Sequence, residues 1–315
     1  MPIRYTEDEI IARVFAPIAG PAALGLKDDA ALLAPTAEST VATVDVLVAG
    51  VHFFPDDPPA LIAKKALRVN LSDLAAKGAE PVGFLLSLAL PADWTNDWLE
   101  AFAAGLAEDA RAYAIPLIGG DTTATPGPLT ISITALGRTP GFVPRTGAKP
   151  GDAIYVSGTI GDAALGLALR RDPALAARLS PQARGYLLDR YLLPRPRLDL
   201  VPLLRAHASA AMDVSDGLAG DLAKLCRASR VSAVVEAPLV PLSPAALEAS
   251  LAPGFFEAAI SGGDDYEILF TADANWTPPQ DVFRIGAIIA GTAPPQFRDA
   301  TKKPINLAKM SFSHF

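Results

Sequence analysis

Residues 138–152 read RTPGFVPRTGAKPGD, a stretch through which neither a helix nor a strand can run. Pro140, Pro144 and Pro150 each fix φ and remove a backbone donor, while Gly141, Gly147 and Gly151 leave the backbone permissive. No apolar period crosses the segment. A chain interrupted in this way folds as two bodies, and 315 residues are enough for two domains of ordinary size. The expected division is residues 1–138, a linker over 139–152, and residues 153–315.

The two halves differ in pattern. Thr6-Glu7-Asp8-Glu9 spells a capping box ahead of Ile10, Ile11, Val14 and Phe15 at helical spacing. TVATVDVLVAG, residues 40–50, is a valine-rich strand. Pro58 and Pro59 open a helix through Ile62, Leu67 and Leu74, with Gly78 as its C-cap. GFLLSLALP predicts a buried strand. Thr95 caps a second helix with Leu99, Phe102, Leu106 and Tyr113 on one face, and IPLIGG and LTISITALG predict two more strands. After the break the elements alternate. Strand AIYVSG leads to a helix from Gly161, two proline-bounded helices, strand AAMDV, helix 217–229 and strand VSAVVE, with later strands YEILFTA and FRIGAIIAG. An α/β domain of helices packed on a sheet is the expected form of this half.

Half the residues are hydrophobic and 19% are charged, which excludes a disordered chain. The formal net charge of −7 argues against a broad nucleic-acid surface. A single cysteine, Cys226, allows no internal disulfide and no cysteine-rich zinc site, and DLAKLCRAS makes it a buried helix residue. MPIRYTEDEI is too polar and acidic for a signal peptide, and no apolar run reaches membrane-span length. The expectation is a cytoplasmic protein without a membrane partner.

Aspartates recur where apolar segments end. Asp28 and Asp29 lie in a turn, Asp45 in or at the end of the valine strand, and Asp73 late on the first long helix. Asp121 closes IPLIGGD, Asp213 and Asp216 fall in MDVSDGLAGDL, and Asp264 and Asp265 follow Gly262-Gly263. Each alone is as well read as a helix cap or an Asx turn. Together, in six segments, they suggest convergence. Two carboxylates about 4 Å apart repel by roughly 4 kcal/mol at an effective dielectric near 20, so converging aspartates need protons or cations. Hard divalent cations, above all Mg²⁺, suit oxygen ligands. Asp162 and Asp221 read as caps or solvated surface. Gly119-Gly120-Asp121 and Gly262-Gly263-Asp264 offer free N–H groups to an anion, although a lone glycine pair is more often a tight turn. Neither a GxxxxGK[ST] nor a GxGxxG motif is present.

The chain resembles the thiamine-monophosphate kinases, in the superfamily of aminoimidazole ribonucleotide synthetase. The resemblance runs from DDAALL to SFSHF. It rests on DVLVAGVHF (45–53), KKALRVNLSDLAAKGAEP (64–81), LIGGDTT (117–123), RTGAKPGD (145–152), SGTIGDAALGL (157–167), MDVSDGL (212–218) and SGGDDYEILFT (261–271), in that order. It implies a two-domain fold. An N-terminal α+β domain would pair across a homodimer into a strand barrel, and a C-terminal α/β domain would follow, with the active site in the cleft between the domains. The activity implied is direct transfer of the ATP γ-phosphate to thiamine monophosphate, without a covalent enzyme intermediate.

By the same resemblance, Mg²⁺ ions would be held by Asp29, Thr43, the Val44 carbonyl, Asp45, Asp73, Asp121, Asp213 and Asp216. Asp45, Asp121, Asp213 and Asp216 would serve catalysis through those ions. Gly120, Asp121, Arg145 and Ser215 would contact ATP, and His52, Asp264 and Phe312 the thiamine substrate. Read without the family, His52 is a core histidine, Arg145 a solvated linker residue and Phe312 packing. The chain departs from the family's pattern in four places: Lys27 stands before Asp28-Asp29 where glycine is usual, Val44 where some members carry threonine, Asp264 where glutamate is common, and Phe312 where tyrosine occurs. Two other functions share the acidic pattern, a metal-dependent phosphatase and a non-catalytic Mg-nucleotide-binding module. Selenophosphate synthetases need a reactive N-terminal cysteine and the hydrogenase-maturation proteins a C-terminal one, neither of which occurs in this sequence.

Overall fold

A computed structural model describes residues 5–6, 9–26, 33–250, 255–308 and 311. The chain clusters into two compact units, Met1–Leu74 with Ala79–Pro140, and Ala75–Gly78 with Gly141–Phe315.

The first unit is built on a four-stranded sheet ordered β1-β4-β2-β3, with β1 Ser39–Val48, β2 Glu80–Leu90, β3 Leu117–Ala124 and β4 Thr130–Thr139. Only β2 and β3 pair in parallel. Alternation sets the faces. Ile131, Ile133 and Ala135 of β4 are buried, and Ser132, Thr134 and Leu136 between them are not. Two helices, α1 (Pro59–Ala76) and α2 (Asn96–Ala112), accompany the sheet. A Cβ on Gly137 would lie 3.0 Å from the Leu74 side chain, so α1 covers the Ile131–Gly137 face. The caps form as the sequence predicts. Thr95 Oγ1 accepts the Trp98 N–H at 3.2 Å, and Gly78 takes φ +65° just past α1. Glu9 donates its N–H to Thr6 Oγ1 and accepts the Thr6 N–H, closing the capping box ahead of a π-helical turn, Ile10–Phe15. Arg68 of α1 and Asp109 of α2 form a bidentate pair, at 2.6 and 2.9 Å, that locks the helices together.

The second unit holds a six-stranded sheet ordered β10-β7-β9-β5-β8-β6. Its strands are β5 Ala153–Ser157, β6 Ala210–Asp213, β7 Ser232–Glu236, β8 Ile268–Ala272, β9 Val282–Ile289 and β10 Gln296–Arg298. The helices are α3 (Asp162–Arg171), α4 (Pro181–Leu192), α5 (Val201–His207) and α6 (Leu218–Ser229), with shorter turns at Pro173–Ala176, Pro244–Ala249 and Phe255–Ser261. Helix and strand alternate along the chain, yet the sheet is mostly antiparallel, with only β10 and β7 parallel. Both faces are covered, so β5 is buried along its whole length. Leu218, Leu222 and Leu225 of α6 pack with Ile154, Val156 and Met212. Val201 and Leu204 of α5 pack with Tyr155 and Phe270 on the other side. Cys226 is buried on α6, as expected, and burial pushes its thiol up to about 12.

Candidate active site

In the first unit, β1 presents alternate residues to opposite faces. Thr43 and Asp45 pair with Ala135 and Ile133, on the face that α1 covers. Thr43 Oγ1 donates to the Asp73 carboxylate on that helix. Burial, and then the neighbouring Asp73 charge, pushes the Asp45 carboxyl up to about 7. Two carboxylates, a hydroxyl and the backbone of one strand thus form a hard-oxygen donor set in which like charges face each other. That is the chemistry a Mg²⁺ ion satisfies. Among the described residues, however, no three His, Cys, Asp or Glu side chains gather as a metal cluster.

Asp121 does not join this pair. The sequence places it at a strand end, but β3 continues through it to Ala124. Its register partner is Ser87, whose own partner is Ser132, while Asp45 pairs with Ile133 and Ile133 with Leu86. Neighbouring residues in a strand face opposite ways, so Asp121 and Asp45 lie on opposite faces of one sheet. Gly119 and Gly120 are likewise strand residues and not a turn, and a Cβ on Gly120 would strike the Leu86 carbonyl. Gly119, Gly120 and Asp121 line a cavity of about 760 Å³, together with Ser87, Thr134 and Leu136. His52 follows β1 in a turn. Its Nδ1 accepts the Val48 N–H at 3.0 Å, which leaves the ring proton on Nε2, and its carbonyl accepts from Lys65 at 3.1 Å.

In the second unit two loops are interlocked. Asp213 ends β6 and is buried, and Ser215 and Asp216 follow it. Asp264 donates its N–H to the Ser215 carbonyl, and Tyr266 donates to that of Val214, both at 2.9 Å. A side chain on Gly263 would collide with the Ser215 carbonyl, so the glycine permits this approach. Asp264 (φ +72°) and Tyr266 (φ +52°) are left-handed, and the residues after them are anchored. Asp265 is fully buried and accepts the Gly161 and Ala163 N–H groups at 2.7 and 3.2 Å. Burial raises its carboxyl against those two bonds. Glu267 accepts from Ser157 at 2.6 Å and from Arg190 and Arg197 at 2.9 Å each. Arg145 is exposed.

Asp162 and Asp221 are not solvated, since both are fully buried. Asp162 accepts from Thr159, Tyr186 and Ser243. Asp221 accepts the Asp216 N–H at 2.9 Å and the Lys224 ammonium at 2.7 Å, and that ammonium also donates to the Asp216 carboxylate. Asp28, Asp29, Lys27 and Phe312 lie outside the described residues. The supporting residues Lys224, Arg190 and Arg197 escape sequence reading. Lys224 leaves a trace, the i,i+3 spacing from Asp221, but the arginines meet a glutamate 77 and 70 positions away.

Residues 27–139 match the family described as AIR synthase related protein, N-terminal domain, and residues 149–276 match its C-terminal domain. Thiamine-monophosphate kinase of Caulobacter vibrioides is 44% identical over 298 residues, 91% of this chain and 81% of that protein. The chain belongs to the thiamine-monophosphate kinase family. Among solved structures, a thiamine-monophosphate kinase from Stenotrophomonas maltophilia K279a superimposes with a TM-score of 0.78 at 42% identity. The match covers 86% of this chain and 89% of that one. AaThiL complexed with AMPPCP and TMP superimposes with a TM-score of 0.79 at 31% identity, over 98% and 94% of the two chains. This family's two-domain fold of mixed sheets is the one described above.

Proposed function

We propose that this chain transfers the γ-phosphate of ATP to thiamine monophosphate, giving thiamine diphosphate and ADP. The observation that carries this is the match along 98% of the chain to a structure complexed with AMPPCP and TMP, joined to 44% identity with a named thiamine-monophosphate kinase. In the reaction a phosphate oxygen of thiamine monophosphate forms a bond to Pγ. The bridging Pβ–O–Pγ bond breaks on the Pγ side, and ADP leaves with the electron pair. The protein's work is to position two polyanions in line and offset their repulsion.

A chain of net charge −7 needs cations for that task. Mg²⁺ ions, when bound, would supply neutralisation of the phosphate charge. Thr43, the Val44 carbonyl, Asp45, Asp73, Asp121 and Asp213, with Asp29, are the groups we assign to hold several such ions. The mutual repulsion of Asp45 and Asp73 supports this for that pair. Asp216 fits less well, because Lys224 already engages it. Gly120, Asp121, Ser215 and the exposed Arg145 guanidinium are assigned to ATP. His52, through Nε2–H, is assigned to the thiamine substrate with Asp264 and Phe312. We take residues 1–138 and 153–315 as the domains, a homodimer as the working form, and the cytoplasm as its compartment. Among the described residues no helix is long and apolar enough to cross a membrane.

The test is to incubate the purified protein with ATP, Mg²⁺ and thiamine monophosphate and resolve the thiamine phosphates by chromatography. Thiamine diphosphate is expected in the full mixture and absent when ATP or Mg²⁺ is omitted. Loss of thiamine monophosphate to free thiamine without ATP would replace the kinase reading with hydrolysis.

A further inference from the structure

Lys224 sits on α6, one turn after Asp221, and is 28% exposed. Its ammonium bridges the carboxylates of Asp216 and Asp221, and the Asp216 N–H closes the ring onto the second oxygen of Asp221. Asp221 is fully buried and uses both oxygens, one on Lys224 and one on the Asp216 amide. The ring fixes Asp216 at the mouth of the α6 turn, 35% exposed. No third acidic side chain among the described residues joins the pair to complete a metal cluster.

We propose that Lys224 is a built-in counter-cation at Asp216. Its ammonium takes the place of a divalent ion there and offers its remaining N–H to a nucleotide phosphate oxygen. An ammonium has three donors, and the two aspartates use two of them. A strongly hydrated ion would have to displace a covalently tethered cation already bonded to both carboxylates, so Asp216 meets phosphate through nitrogen and not through metal. The phosphate role rests on the kinase reading, whereas exclusion of the metal does not.

The test counts Mn²⁺ bound per chain by electron paramagnetic resonance, without nucleotide, in wild type, K224M, K224R, D216N and the K224M/D216N double variant. K224M is expected to bind one Mn²⁺ more than wild type, and the double variant to lose it again. K224R and D216N are expected to keep the wild-type count. Loss of a bound ion in D216N alone would overturn the proposal, and it does so even if K224M fails to fold. Equal counts in wild type and K224M would also overturn it. With Mg²⁺ present, the K224M/D216N double variant should bind ATP about tenfold more weakly than D216N, the loss of one charge-assisted bond. Unchanged ATP binding would remove the phosphate role. Because the Mn²⁺ count involves no turnover, failure of the kinase assay leaves it standing, and the two results stay distinguishable.

Discussion

Asp45 is a partly enclosed carboxylate facing a second one. Burial first, and then Asp73, pushes its carboxyl up to about 7, while an unfolded aspartate titrates near about 3.9. Between those values the folded chain keeps a proton that the unfolded chain has released. Stability of the metal-free protein therefore falls as pH rises from about 4 to about 7, and levels off above that. A tenfold change in proton affinity corresponds to about 1.36 kcal/mol, so the loss is on the order of 4 kcal/mol at most. Urea unfolding in EDTA should show a lower midpoint at pH 8 than at pH 5, with Asp45→Asn reducing the difference and Asp265, whose carboxyl burial also raises, contributing to what remains. A wild-type midpoint that does not change with pH would mean that Asp45 is solvated. The strand and the helix carrying this pair were legible from valine richness and the apolar period. Their meeting was not, because strand register and helix packing join residues about thirty positions apart. The burial of Asp162 and Asp221 was not legible for a related reason. Asp beside Gly usually means a turn, and burial is made affordable by a distant partner, Ser243, for Asp162 and by a neighbour on the same helix, Lys224, for Asp221.

The segment from Asp264 to Glu267 shows how an element holds a site. Two left-handed residues alternate with two buried anchors, and each left-handed non-glycine residue costs of order 1–3 kcal/mol. Glu267 supports the arrangement from beneath, between two guanidinium groups and the Ser157 hydroxyl. Gly158 leaves room for it, since a Cβ there would overlap the carboxylate. Removing the charge strands Arg190, which is 2% exposed. Glu267→Gln should cost about 3 kcal/mol or more in denaturant unfolding. A loss under about 1 kcal/mol would show that the pair is not needed. Local signals carried much of the element level. The Thr6–Glu9 box, the Thr95 cap and the Gly78 C-cap all form where the sequence puts them, because each is satisfied within a few residues. The order β10-β7-β9-β5-β8-β6 could not be read that way, since its pairings are non-local. β10 and the helices at Pro244–Ala249 and Phe255–Ser261 are too short to show a period.

At the scale of the whole molecule, the open face of the first sheet sets the expected assembly. One face lies under α1, while on the other Val44 is 58% exposed and Val46 49% exposed, on an edge strand. Leu136 continues this face along β4 and is only half-buried. An apolar strand left at an edge invites pairing, and a two-fold partner presents the same valines again. Burying a valine contributes about 1.5–3 kcal/mol, and the symmetry of a pair doubles each contribution. Val44→Glu combined with Val46→Glu places four like charges in such an interface, without touching the face that packs on α1. Light scattering behind size-exclusion chromatography should give twice the chain mass for wild type and the single mass for the double variant, with circular dichroism unchanged. A wild-type monomer, or a variant that keeps the double mass, would place the contact elsewhere or remove it. Either result would leave the valine face without an occupant, and Asp121, on that same face, without the enclosed surroundings that a second copy would give it.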